Sequence, residues 1–496
     1  MDSIRFKNYR CFSDTGEISL KPLTFLLGAN SSGKSSFLEF FPLLKQSVGV
    51  RRNGIFLWYA NEVDFKDFGN AVKTGEDKMQ ISWSYNDLEY LGYRLNNRVK
   101  QVLREANLSV QKVQIRLSMT LSARKDKFDK LDELTIEFND VAISVLIHTD
   151  GIITVDINNR RFSSSSYGIR LNDTTFLLPR PIMFFKNKGD RVSAVYSRVL
   201  DNESILDGED MKDVKEFIQY DRMVYLSKDE YLSFFRGITN NKDLDYEYLR
   251  DLYLFARLDD IIESINYRIL AEANQLSYVK PLRVLPERYY RYQNYSVDEI
   301  DSDGKNLAMF LANLSETELK NYQAWTNNHF GFKIYPIKHE GHIELTIGKK
   351  KTEARNLVDV GFGYTQLLPI ITIIWNALRG GGGRSFFPRV GNASIIIAIE
   401  QPELHLHPHV QAEFAEMLAR VVEHLSSNVE VRFIIETHSE AIINRIGSLV
   451  QSGEVSSEKV KVILFNGGND TLCNSVVETE FDQDGYLEKW PLGFLS

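Results

Sequence analysis

The sequence predicts an α/β protein in which a largely parallel, doubly covered sheet is interrupted by a long insertion of antiparallel meander plus helices. Three observations predict it. A glycine-rich loop at residues 28–35 sits between an apolar run and an apolar-faced helix. Apolar residues recur at every second position between Val113 and Ile157, and strand and helix patterns alternate from about residue 342 to 435.

Taken in order, Ile4-Arg5-Phe6 and Ile18-Ser19-Leu20 alternate as half-buried strands do, and Leu23 to Leu27 is a buried strand delivering Gly28. Ser35 to Gln46 reads as a helix with Phe37, Phe40, Phe41 and Leu44 on its apolar face, and Pro42 predicts a kink because it removes an internal hydrogen bond. Period-two runs follow at Val113–Leu121, Leu134–Phe138, Ile143–Ile147 and Ile153–Ile157. Asn139-Asp140 and Asp150-Gly151 supply the turns of a meander. From about Asp210 to Leu276 the spacing is helical, as in Leu249, Leu252, Phe255 and Leu258. The last part predicts a strand at His342–Ile347, a helix at Thr365–Leu378, a strand at Ser394–Ile399, a helix at His409–His424 and a strand at Val431–Ile435. Gly380 to Gly383 reads as a flexible loop. The expected organisation is residues 1–100 and 341–496 as two parts of one α/β unit, with 101–340 inserted between them.

Net charge is −8, so the surface as a whole repels phosphate backbones, and nucleic-acid contact is expected to be local or through a partner. Only Cys11 and Cys473 occur, in no metal-type spacing, which predicts neither a disulfide framework nor a zinc module. The N-terminus has charges where a leader would be apolar, and no run approaches a membrane span. A cytoplasmic protein with no membrane partner is expected.

Gly28-Ala29-Asn30-Ser31-Ser32-Gly33-Lys34-Ser35 matches G-x-x-x-x-G-K-[ST], in the strand-to-helix context that the motif needs. Glycines let backbone N–H groups curl around phosphate, Lys34 reaches the β/γ-phosphates, and Ser35 ligates magnesium. The candidate contacts to ATP are Gly28, Asn30, Ser31, Ser32, Gly33, Lys34, Ser35 and Ser36. Ile395 to Ile399 is an apolar strand ending in Glu400, a second candidate ligand of Mg²⁺. His405, His407 and His409 suggest zinc, but no Cys or acid stands at ligand spacing, and a loop is the simpler reading. His438 follows the strand Val431–Ile435, where a histidine at a strand tip can reach a γ-phosphate. Asp359 to Gln366 is a Gly-rich loop opening an apolar helix, with Gly361, Gly363, Thr365 and Gln366 as candidate nucleotide contacts. Arg283 to Tyr295 is basic and aromatic and could bind nucleic acid, although a strand-to-loop connection suits it better. Lys349-Lys350-Lys351 is most simply a solvated turn.

The order of phosphate loop, Gly-rich loop, acidic strand and histidine resembles ABC-type ATPases. Phe6 to Phe12, the phosphate loop, Val360 to Gly363, Ile399 to Pro408 and Glu436 to Ser439 look like AAA-family ATPases related to SMC, RecF and OLD proteins. Leu282-Arg283, Pro286 to Tyr290, Phe481 to Gly485 and Trp490 to Phe494 resemble the bacterial branch that includes ATPase subunits of antiphage systems, particularly Septu and retron-associated forms. The resemblance covers roughly the first 70 and last 220 residues. It implies an ABC-type (SMC-like) ATPase head, in which Gly363 and Thr365 of one copy close over ATP at Lys34 of another. Thr365 stands where a signature serine is usual and keeps the hydroxyl. Gln401 stands where the family usually places the glutamate that polarises the attacking water; glutamine can orient water but not take its proton, and Glu403 is the alternative base. OLD proteins continue into a nuclease domain, for which the roughly 55 residues after His438 are too few, so a nuclease is expected in a partner. The expected function is an ATP-driven dimer or higher assembly gating a separate effector in prokaryotic defence. A nucleotide-bound scaffold that barely hydrolyses ATP and a RecF-like DNA-repair ATPase are the alternatives.

Overall fold

A computed structural model of the chain describes residues 1–86, 114–124, 128–138, 141–163, 169–172, 175–183, 246–293, 297–379, 394–424, 430–466 and 475–489. The chain forms two compact units, each assembled from separate stretches: residues 1–9, 47–58 and 65–271 in the first, and residues 10–46, 59–64 and 272–496 in the second.

The first unit is built on an antiparallel sheet. Its strands run in the order Arg160–Ser163, Ile153–Ile157, Val141–Ile147, Asp129–Phe138, Ile115–Ala123, Lys78–Tyr85 and Ser3–Tyr9. The meander is present because every second side chain is buried: Ile115, Leu117, Met119 and Leu121 lie inside, as do Leu134, Ile136 and Phe138. A register shift between Thr120 and Leu121 lets the Asp129–Phe138 strand start five residues before the predicted Leu134. Its first residue, Asp129, is buried and accepts from the backbone N–H groups of Ile55 and Phe56. Helices Tyr246–Ala256 and Leu258–Asn274 bear out the helical spacing near Leu258; residues 210–245 of that predicted block, like the Asn139-Asp140 turn and Gly380–Gly383, lie outside the described residues.

The second unit centres on a six-stranded sheet in the order Leu276–Val279, Ile395–Glu400, Val431–Glu436, Leu23–Gly28, Val460–Asn466 and Ser475–Thr479. The first five strands are parallel and the last pair antiparallel. Every residue of Ile395–Glu400, Val431–Glu436 and Leu23–Gly28 is buried, as continuous apolar strands covered on both faces must be. Helices Phe362–Arg379, Pro408–His424 and Glu440–Gln451 supply part of that cover. The predicted helix Ser35–Gln46 is two helices, Lys34–Leu38 and Phe40–Ser47, and the break at Glu39 follows Leu38, whose carbonyl lacks the bond that Pro42 cannot donate. Pro42 thereby sits in a first turn, where its missing N–H has no intrahelical partner to lose. Cys11 is disulfide-bonded, contrary to the expectation from spacing; positions far apart in sequence say nothing of their distance in the fold, and Cys473 lies outside the described residues. No helix among the described residues is long and apolar enough to cross a membrane.

Candidate nucleotide site

The register of the parallel sheet collects chemistry at one edge. Glu400 pairs with Glu436, Glu436 with Leu26, and Phe465 with Gly28, so the acid-bearing tips and the start of the phosphate loop share the carboxyl end of the sheet. The Val431–Glu436 strand lies between the other two, which brings Glu436 closest to the loop in strand order.

The loop needs its glycines where the chain is crowded and left-handed. Gly28 has φ +147°, and a Cβ there would lie 2.3 Å from the Phe465 carbonyl oxygen. Gly33 has φ +102°, and a Cβ would lie 2.7 Å from Cys11 Sγ. Ser31 also takes a positive φ, and Asn30 and Ser31 are exposed while Ser36 is half-buried. Lys34 is buried, and its ammonium donates to the carbonyls of Gly28 (3.0 Å) and Ala29 (2.7 Å). Burial lowers its pKa, opposed by the attraction of Glu436 and Glu403. Ser32 is buried, with no hydrogen-bond partner for its hydroxyl among the described residues.

Ser35 donates its hydroxyl to Glu436 Oε1 at 3.1 Å. The second oxygen of Glu436 is buried and accepts no hydrogen bond among the described residues, and burial raises the pKa of this carboxyl. Glu400 accepts a 2.6 Å hydrogen bond from Tyr278. Its carboxyl is pushed up to about 8, first by burial and then by Glu436 and Glu39. Gln401 adopts φ +41°; its N–H donates to Glu436 O at 2.8 Å, while Arg283 Nη2 donates to the carbonyls of Glu400 and Gln401, each at 3.1 Å. Glu403 is held at both oxygens, by the Thr437 hydroxyl (2.8 Å) and the His438 N–H (2.7 Å). The His438 ring is half-buried, and burial with the nearby Lys34 charge lowers its pKa.

The second glycine-rich loop is in the same unit. Gly361 is exposed at φ +87° with open space where a Cβ would stand, and Gly363 lies close to the loop after Glu403, its would-be Cβ 3.3 Å from His405 O. The helix begins at Phe362, three residues before the predicted start, so Thr365 falls inside its first turn. Thr365 and Gln366 are both buried within their own chain, and Tyr364 is exposed. The fold thus brings Lys34, Ser35, Glu403 and His438 together around Glu436, and sets Glu400 and Gln401 on the neighbouring tip.

Tyr278 and, as a ligand in its own right, Glu436 were not among the expected site residues, and Arg283 was expected only in a basic, aromatic stretch that suits a strand-to-loop connection better than a nucleic-acid surface. Glu436 carried a legible signal: an acid closing an apolar strand, the same pattern that singled out Glu400. Nothing in the sequence marked Tyr278 as the partner of Glu400.

A magnesium ion fits these residues. No three His, Cys, Asp or Glu side chains among the described residues form a metal cage, but Mg²⁺ characteristically takes one or two carboxylates and completes its shell with phosphate and water. The buried free oxygen of Glu436 beside the Ser35 hydroxyl is an acceptor of the right kind.

Over 175 residues, 34% of this chain, the sequence is 28% identical to the Endonuclease GajA of Bacillus cereus (strain HuB5-5), and the match spans 22% of that protein's length. Among solved structures the chain is similar to the Smc head domain of Pyrococcus furiosus bound to the C-terminal domain of ScpA, at 12% identity over 97% of this chain and 96% of that one, with TM-score 0.35. The SMC head domain of Thermotoga maritima matches at 8% identity, over 96% and 97% of the two chains, with TM-score 0.32. These likenesses are too slight to place any residue. The profile of the AAA ATPase domain family matches residues 1–443, from the first strand through the phosphate loop and both acidic tips to His438, and the chain belongs to that family.

Proposed function

We propose that the chain is the ATP-binding and ATP-hydrolysing subunit of a prokaryotic antiphage complex, which assembles by sandwiching ATP between two copies and gates a separate nuclease effector. The observation that supports the nucleotide site is the single sheet edge at which Lys34, Ser35 and Glu436 meet. In this reading the backbone of residues 28–33 and Lys34 receive the phosphates, and Ser35 with Glu436 and Glu400 would hold Mg²⁺. Bound there, Mg²⁺ would neutralise charge developing on the phosphoryl oxygens. Gly361, Gly363 and Tyr364, at the open end of the second loop, would face the other copy's nucleotide. Thr365 and Gln366, buried in their own helix, would shape that loop from behind. We also read residues 1–100 and 341–496 as the head and 101–340 as its insertion, with Leu276–Val279 lent to the head's sheet.

The defence role rests on the motif resemblance, and the likeness to an endonuclease over part of the chain favours a nuclease as partner. The Septu or retron-associated branch is the finer form of the same proposal. Gln401 favours a second reading, a nucleotide-held scaffold that hydrolyses slowly and keeps its partner inhibited. Purification of the chain from its native host with whatever copurifies, followed by calorimetry with ATP, tests both. Lys34→Ala is expected to abolish binding; wild-type affinity in that variant refutes the site. A partner whose nuclease activity ignores ATP refutes the gating.

A further inference from the structure

The side chain of Arg283 is turned inward, although it opens a stretch whose composition suggested a nucleic-acid surface. It is 6% exposed, whereas its neighbours Leu282 and Leu285 are 77% and 62% exposed. Its backbone is pinned on both sides: Lys280 N–H donates to Ser302 O at 2.9 Å and Val284 N–H to Asp303 O at 3.0 Å. One nitrogen, Nη2, donates to two successive carbonyls, those of Glu400 and Gln401. Successive carbonyls of an extended strand point to opposite sides, so they converge on one nitrogen only if the chain reverses between them. Gln401 supplies the reversal with φ +41°, a strained left-handed conformation that a non-glycine residue keeps only when its surroundings enforce it. Its surroundings do enforce it, because the Gln401 N–H is held by Glu436 O from the adjacent strand while its carbonyl accepts from Arg283 at 3.1 Å and from the Leu404 N–H at 3.3 Å. Both ends of this residue are clamped, and the clamp sets where its side chain points.

Burying a guanidinium for a purely structural bond is costly. Nε and Nη1 have no hydrogen-bond partner among the described residues, and such groups cost more buried than in water. A hydrophobic residue of similar size would fill the space at lower cost, so the charge is explained by what it attracts, the two carbonyls and the nearby Glu403 carboxylate. Resting on the ATPase reading above, we propose that Arg283 is a positioning residue for hydrolysis: it fixes the left-handed turn at Gln401 and so aims that amide at the attacking water.

The test is a double-mutant cycle on the purified full-length chain, with radiolabelled ATP in single turnover and calorimetry for affinity. Arg283→Met is expected to leave ATP affinity within about threefold and to slow hydrolysis roughly 10- to 100-fold, the scale of misplacing a catalytic group by about 1 Å. Gln401→Ala is expected to slow it similarly, and the double variant no further, because both changes remove one device. Hydrolysis at the wild-type rate in Arg283→Met, or a double variant whose loss is the product of the two single losses, overturns the proposal. If thermal melting shows that Arg283→Met does not fold, Arg283→Lys keeps a charge in the same space and is read in the same cycle by the same criterion. A wild-type chain that neither binds nor hydrolyses ATP overturns the ATPase reading itself, and this inference with it.

Discussion

Two substitutions at Glu403 separate a structural from a chemical role. Its carboxylate ties the turn after the acidic strand to the strand tip bearing His438, through the Thr437 hydroxyl at 2.8 Å and the His438 N–H at 2.7 Å. Glu403→Gln can preserve both links: the amide oxygen still accepts from His438 N–H, and the amide NH₂ can donate to the Thr437 oxygen. Only the strengthening due to charge is lost, about 1 kcal/mol. Glu403→Ala removes both links and leaves the His438 N–H without an acceptor, a loss of about 2–4 kcal/mol, or roughly 2–7 °C in melting temperature for a chain of this length. If the residue is a tether, the Gln variant keeps phosphate release within about threefold of wild type, whereas a general base contributes of order 10²–10⁴-fold. The assay pairs scanning calorimetry with steady-state phosphate release. A Glu403→Gln variant that melts like wild type and loses 10²-fold or more in turnover refutes the tether and makes Glu403 the base.

Gln401→Glu is expected to raise or hold turnover, because it restores a carboxylate at the strand tip, and basal release in the wild type is expected to fall below the ~10 s⁻¹ median of enzymes; faster wild-type turnover counts against the slow-switch reading. Glu400, raised to about 8 from 4.5 mainly by burial, is favoured neutral in the folded chain. Its contribution to stability is therefore full below pH 4.5 and lost as pH rises through about 8, so Glu400→Gln should flatten the decline of melting temperature across that window. A slope unchanged by the substitution contradicts the assignment. Because a metal ligand must be ionised, magnesium nucleotide binding should release protons below about pH 8, seen as a dependence of calorimetric enthalpy on buffer. Finally, cysteines placed at exposed Asn30 in one copy and Tyr364 in another should crosslink only with ATP; Thr365 is buried and makes a poor probe. Absence of the crosslink in ATP-bound protein refutes the sandwich.

The legible part of the site was the part built by local chemistry. The phosphate loop, the apolar strand closing at Glu400 and the strand before His438 each carried their meaning in consecutive residues, as did the period-two meander from Val113 to Ile157. Some local signals went unread: Ser315 and Glu318 form a capping box and Gly331 a left-handed cap around the helix Glu316–Phe330. The helix after the phosphate loop was read as one with a kink at Pro42, whereas it divides at Glu39, just after Leu38, the residue four before Pro42 whose carbonyl the proline cannot bond.

What the sequence alone determined is the class of fold and the inventory of phosphate-binding and acidic residues, because strand and helix periods and loop glycines act over a few residues. What only the tertiary structure decided is who meets whom. Strand order put Val431–Glu436 between the acidic strand and the phosphate loop, so Ser35 meets Glu436, 401 residues away along the chain, and Tyr278 meets Glu400 across 122. Parallel pairing is set by the burial of whole strand faces and by the crossovers between strands, and a sequence records neither partner nor register for such a strand.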